Sequence, residues 1–127
     1  MRAMVVRRYG PPEVLEMREV AEPALGAGQV LLRVQAVGIN FADLLQRMGL
    51  YPGTPRPPFI PGLEVAGIID SLPSSSPPPA SNLQKGQRVV AFTSFNAYAE
   101  RVVVSANQLF PIPDSMPFED AAAIPVN

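Results

Sequence analysis

Short apolar runs alternate with dense turn signals along this chain. Gln29–Ile39 (QVLLRVQAVGI) carries the clearest period of two, with Arg33 and Gln35 on one face and Leu32, Val34 and Ala36 on the other. Successive side chains of a strand point to opposite faces, so the pattern predicts a half-buried strand. Arg2–Arg7 and Val14–Val20 predict two shorter strands flanking the turn Tyr9-Gly10-Pro11-Pro12. Leu63–Asp70 predicts another, in which Gly67 marks a bulge or a close backbone approach. Arg88–Phe95 and Tyr98–Val104 predict an antiparallel pair joined near Asn96, and Pro23–Gly28 is a loop.

The pattern changes at Asn40–Met48. Phe41, Leu44, Leu45 and Met48 recur at helical spacing and predict one apolar helix face. Asn40 suits the N-cap and Gly49 the position just past the end. Tyr51–Gly62 holds five prolines and predicts an ordered loop packed by Tyr51, Phe59 and Ile60. Ser71–Ser81 is a Ser/Pro stretch, expected to form a flexible surface loop. Pro117–Ala123 predicts the start of a second helix, with Glu119 and Asp120 favouring its positive end.

Composition narrows the architecture. The 127 residues fit one domain. The 16 prolines remove ladder donors and keep the strands short. Short strands, frequent Gly/Pro turns and one or two short helices predict a mainly β fold, a closed or partly open β-barrel. A net charge of −1 provides no one-signed field for nucleic acid or an anionic membrane. The start, MRAMVVRRYG, lacks the apolar run of a secretory signal, and no segment has the length of a membrane span, so a soluble cytoplasmic protein is expected.

Candidate chemistry is sparse. The chain contains no His and no Cys, which excludes imidazole bases, thiolate nucleophiles, disulfides and zinc sites built on either. Gly26-Ala27-Gly28 precedes a strand, whereas the dinucleotide fingerprint must link a strand to a helix. Asn40 and Asp43 stand three apart at the helix start, which fits either a site or a cap with a solvated carboxylate. Tyr51 can polarise a carbonyl, stack on a flat ring or serve as a core aromatic. Glu64 opens an apolar strand, as an exposed strand end or a partnered charge.

The succession AVGINFADLLQRMGLYP, PFIPGLEVAGII, KGQRVVAF, AYAERVVV and PIPDSMPFEDAAAIPVN resembles the N-terminal part of a medium-chain dehydrogenase/reductase. It is most similar to the zinc-free quinone oxidoreductases (zeta-crystallin-like), with vesicle-amine-transport-protein-like members also near. The resemblance covers essentially the whole chain except Ser71–Ser81. It implies a GroES-like barrel that supplies the substrate side of a cleft. Zinc-dependent relatives carry Cys at the position of Asn40 and Gly-His-Glu at Gly62-Leu63-Glu64, so the resemblance implies no metal. It places the matches of Asn40, Asp43 and Tyr51 near the nicotinamide and the substrate carbonyl as catalytic residues, with Asp43 there or orienting its neighbours. Asn40 and Asn127 are the implied cofactor contacts.

Family members continue beyond this region into a Rossmann domain, which is absent from this chain. The implied activity is NADPH-dependent reduction of quinones or α,β-unsaturated carbonyls by a cytoplasmic protein, a homodimer at full length. The 127-residue chain alone is expected to be inactive. The alternative is a truncated, non-enzymatic GroES-like module acting through protein–protein contacts.

Overall fold

The computed structural model describes residues 1–73 and 82–126. Strands β1 (Arg2–Val6) and β2 (Leu15–Glu19) form an antiparallel hairpin, with Arg2 opposite Glu19 and Val6 opposite Leu15. The turn between them includes a 3₁₀ segment, Pro12–Val14, which takes in the first residue of the predicted second strand. A five-stranded antiparallel sheet follows: β3 (Gln29–Val37), β4 (Glu64–Ser71), β5 (Arg88–Phe92), β6 (Arg101–Ser105) and β7 (Leu109–Pro111). Its order is β6-β3-β4-β5-β7. The bridge Ala3↔Ala99 and the bond from Met4 N to the Tyr98 carbonyl, at 2.8 Å, lay the hairpin beside this sheet. The result is a mostly β half-barrel with two helices, α1 (Phe41–Met48) and α2 (Phe118–Ala121).

The alternation in β3 is realised as expected. Leu32 is buried, while Arg33 and Gln35 are exposed. Val30, Leu32, Val65, Ile69, Val89, Val102 and Val104 belong to the main core, and each such side chain removed from water contributes about 1.5–3 kcal/mol. Gly67 is a close approach beside an irregularity in register between Val34 and Ala36. A Cβ at Gly67 would lie 2.4 Å from the Arg33 carbonyl oxygen, so only glycine fits there. The Pro-rich segment is an irregular loop as expected, and its Phe59 is buried against Val6 and Val14.

The expected pairing of Arg88–Phe95 with Tyr98–Val104 is not formed. β5 pairs with β4 and β7, whereas β6 pairs with β3 on the other side of the sheet. Asn96, at φ 75°, turns the chain out of the β5 direction. Ala97 then enters the core and the Tyr98 carbonyl binds the hairpin, which carries the chain across to the far edge. Ser71, expected in the Ser/Pro loop, ends β4 opposite Leu31, and Leu72 packs against the core. The remainder of that expected loop, residues 74–81, lies outside the described residues, as does Asn127.

Helix α1 starts at the Asn40 cap and closes at Gly49, as the sequence predicts. Of the expected apolar face, only Leu45 is half-buried. Phe41 is 74 % exposed and Leu44 and Met48 are also exposed, whereas Asp43 and Gln46 are buried. Gln46 explains part of this facing. Its Nε2 donates to the Ser94 carbonyl at 3.1 Å and its Oε1 accepts from Gly62 N at 3.1 Å, so the helix is pinned by polar bonds.

Candidate functional site

The start of α1, the start of β4 and the chain after α2 converge on Glu64. This side chain is 1 % exposed, yet both its oxygens are used. Oε1 accepts from Asn40 Nδ2 at 2.7 Å and Oε2 accepts from Val126 N at 2.9 Å. Gly38 makes room for the carboxylate: a Cβ there would lie 2.0 Å from Glu64 Oε1 and 2.5 Å from the Ala122 carbonyl oxygen. Sequence reasoning left Glu64 between an exposed strand end and a partnered charge; it is the partnered one. A Glu opening an apolar strand is the signal the sequence offered for it.

Asp43 is the second buried carboxylate, 5 % exposed, which replaces the solvated carboxylate that the residue pattern allowed. Its Oδ2 accepts from Asn40 N at 2.8 Å and from the Tyr98 hydroxyl at 2.9 Å. The first of these is the return half of a capping box. Oδ1 has no partner among the described residues. Burial pushes the Asp43 carboxyl above its ordinary value, an effect opposed by the two donors and reinforced by the nearby Glu64 charge. Burial likewise raises the Tyr98 phenol, and the adjoining Asp43 carboxylate adds to the rise. Asp43 is thus enclosed behind Asn40 and fixes its backbone.

Tyr51 lies in a different setting. It lines an open cleft of about 570 Å³ together with Leu63, Phe92, Phe95, Pro125 and Val126. Among the described residues nothing accepts a hydrogen bond from its hydroxyl; the Tyr51 carbonyl accepts from Thr54 Oγ1. Neither Asn40 nor Asp43 lines this cleft. Asn40 reaches its edge through Glu64, which binds Val126. The structure therefore joins Asn40 and Asp43 directly, and Tyr51 to them only by way of Glu64 and Val126. The cleft has a mainly apolar, aromatic wall suited to a flat ring, with a phenol at its rim.

A second, more apolar groove of about 490 Å³ runs between the hairpin and the sheet, lined by Met4, Met17, Val34, Val37, Ile39 and Tyr98. Among the described residues its polar contact to the Asn40 cluster is the Tyr98 hydroxyl, which donates to Asp43. No helix among the described residues is long and apolar enough to cross a membrane.

Known proteins share this architecture. Residues 26–114 match the alcohol dehydrogenase GroES-like domain model. The synaptic vesicle membrane protein VAT-1 homolog of Danio rerio is 37 % identical over 127 residues, covering 99 % of this chain and 25 % of that protein. The crystal structure of human synaptic vesicle membrane protein VAT-1 homolog-like protein superposes with a TM-score of 0.92 at 38 % identity, covering 100 % of this chain and 40 % of that one. The quinone oxidoreductase of Thermus thermophilus, solved also as its complex with NADPH, gives a TM-score of 0.81 at 41 % identity, covering 99 % of this chain and 37 % of that one. The chain thus spans between a quarter and two-fifths of the length of these relatives. It belongs to the alcohol dehydrogenase GroES-like domain family, and its relatives are VAT-1 proteins and quinone oxidoreductases.

Proposed function

We propose, from this family membership, that the chain is the substrate-side domain of a zinc-independent, NADPH-dependent oxidoreductase that reduces quinones or α,β-unsaturated carbonyls. One observation carries the reading: an aromatic cleft with the Tyr51 hydroxyl at its rim, bounded at Val126 by the carboxylate that holds Asn40. The relative from Thermus thermophilus, a quinone oxidoreductase solved with NADPH, supports the choice of substrate and cofactor. Leu63 lines the cleft where zinc-dependent members of the superfamily carry a histidine, and it gives the wall an apolar surface in place of a ligand.

The balanced reaction is quinone plus NADPH plus a proton, giving hydroquinone and NADP⁺. Bound NADPH supplies the hydride. No strand-to-helix turn among the described residues carries the G-x-G-x-x-G fingerprint, so the share proposed for this chain is the ring end of the cofactor and the substrate. Tyr51 donates to the substrate oxygen on which negative charge develops. The Asn40 amide carries two hydrogens, one committed to Glu64; its second is assigned as the other donor, acting at the Val126 edge of the cleft, whose wall Asn40 does not itself line. Donors aimed at a developing oxyanion act mainly in the transition state. Asp43 holds the Asn40 backbone and does not meet substrate. Asn127, next after Val126, is assigned with Asn40 to the nicotinamide side. The cytoplasmic location and the full-length homodimer belong to the same proposal.

NADPH oxidation by the chelator-treated full-length protein tests this reading. Quinone-dependent oxidation without added metal is the expected result; oxidation that requires zinc, or none with quinones or enones, would overturn it. The alternative of a non-enzymatic module is favoured by one observation, the exposure of Ile39, Phe41 and Leu50 around α1, and would be supported by the second outcome.

A further inference from the structure

We infer that Glu64 is the positioning residue of this site: its carboxylate sets the orientation of the Asn40 side-chain amide and ties it to the chain at Val126. The inference rests on the role proposed above for Asn40. Glu64 is fully buried, and among the described residues no cation lies within ion-pair distance of it. A buried carboxylate without a cation is costly, and a leucine or glutamine of similar size would avoid the charge. The hydrogen bonds show what the charge achieves. Each oxygen meets its own donor, Asn40 Nδ2 at 2.7 Å and Val126 N at 2.9 Å. Only a carboxylate accepts on both oxygens; a glutamine has one oxygen and must turn its NH₂ toward one of the two donors.

The consequence for Asn40 is directional. The oxygen and nitrogen of an asparagine amide are nearly equal in size, so packing alone does not distinguish the two orientations. An acceptor-only partner does: Glu64 admits the NH₂ end and rejects the carbonyl end. With one Nδ2 hydrogen held, the second is left in a fixed direction as a donor. Charge-assisted bonds of this kind are stronger than neutral ones, so the orientation is held firmly. Two backbone features sustain it. Gly38 leaves the space that Glu64 Oε1 occupies, and Glu64 pairs with Phe92, which lines the Tyr51 cleft. The same carboxylate thus links the proposed substrate donor to the segment bordering the cleft.

Two measurements test this. The first needs only the unmodified, ¹⁵N-labelled 127-residue chain. The Asn40 side-chain NH₂ should exchange with solvent at least about tenfold more slowly than that of exposed Asn107, as expected for a hydrogen-bonded, sheltered amide. Equal rates would overturn the inference. In Glu64→Gln, either the Asn40 side-chain amide or the Val126 N–H should lose that protection, since one oxygen cannot serve both; retained protection of both would also overturn it. The second measurement uses the full-length protein. Glu64→Gln should lower kcat for quinone about 10- to 100-fold, the scale of a misplaced catalytic group, with KM and NADPH affinity little changed. Gly38→Ala, which drives a methyl into Glu64 Oε1, should lower kcat in the same way. Unchanged kcat in a folded Glu64→Gln protein sinks the positioning role. If the unmodified protein oxidises no NADPH with quinone, the proposed function fails, and the exchange rates still decide how Glu64 holds Asn40.

Discussion

Among the described residues, Asp43 carries two hydrogen bonds on one carboxyl oxygen and none on the other. Burial dominates the balance and raises its pKa above the ordinary 3.8. A carboxyl raised in the folded state binds its proton more tightly there than in the unfolded chain. Its contribution to stability is therefore complete below the unfolded value and is lost as pH rises through the folded value. Asp43→Asn removes that titration while one oxygen still accepts from Asn40 N and the Tyr98 hydroxyl. Urea unfolding of the two proteins from pH 3 to 7 should show a stability difference that shifts in favour of the variant as pH rises; a difference constant across the range would refute the raised value. Tyr51 presents the opposite case, a polar group at an open rim. Tyr51→Phe keeps the ring and its packing, so the fold should persist. Turnover with quinones should fall by roughly 5- to 150-fold, corresponding to about 1–3 kcal/mol for one donor acting in the transition state, with NADPH binding intact. Unchanged steady-state parameters with two different quinones would remove Tyr51 from the polar site. Asn40, Asp43 and Tyr51 were legible as candidates from motif order alone. Their separate settings were not, because the partners that divide them (Glu64, Tyr98 and Val126) lie 24 to 86 residues away from Asn40 in the chain.

Helix α1 shows how far a local pattern carries. Its existence, its Asn40 start and its Gly49 end follow from the sequence, since caps depend on neighbouring residues. Its orientation does not. The apolar stripe predicts burial of Phe41, Leu44, Leu45 and Met48, of which Leu45 alone is half-buried, and the inward side is held by Asp43 and Gln46 through bonds to residues 16 to 55 positions away. Polar contacts therefore stabilise the inner face. Gln46→Met keeps the side-chain volume but leaves the buried Gly62 N–H without a partner, and should cost about 1–3 kcal/mol. Phe41→Ala, on the exposed face, should change stability by less than about 0.5 kcal/mol. Chemical denaturation of both variants decides between the faces: a larger loss for Phe41→Ala would restore the apolar side as the inner one. The strand pairing failed for the same physical reason. The sequence near Asn96 contains the turn, but the destination of the chain is set by Met4, Val30 and Leu32, whose contacts with Tyr98 and β6 are long-range.

For the whole molecule, the mainly β, partly open barrel class was legible because its causes are repeated along the chain: short apolar strands, proline interruptions and glycine at close approaches. What the pattern could not show is the surface left uncovered. Ile39 is 77 % exposed and Leu50 67 %, and they flank the exposed Phe41 on the same segment. Exposed apolar surface of this kind favours association, and the net charge of −1 at pH 7 offers little repulsion to oppose it. The 127-residue chain alone should therefore self-associate. Sedimentation velocity at neutral pH should give a mean mass that rises with concentration. It should rise further as the pH is lowered from 7 and the net charge passes through zero. Replacing Phe41 and Leu50 by serine should shift the chain toward monomer without unfolding it, because neither side chain contributes to the core. Salt screens charges and leaves apolar contact intact, so added salt should not disperse the assembly. A strictly monomeric chain over the whole concentration range would show that these side chains fold back on their own surface. Association unaffected by the double substitution would place the contact elsewhere, at the free edges of β6 and β7.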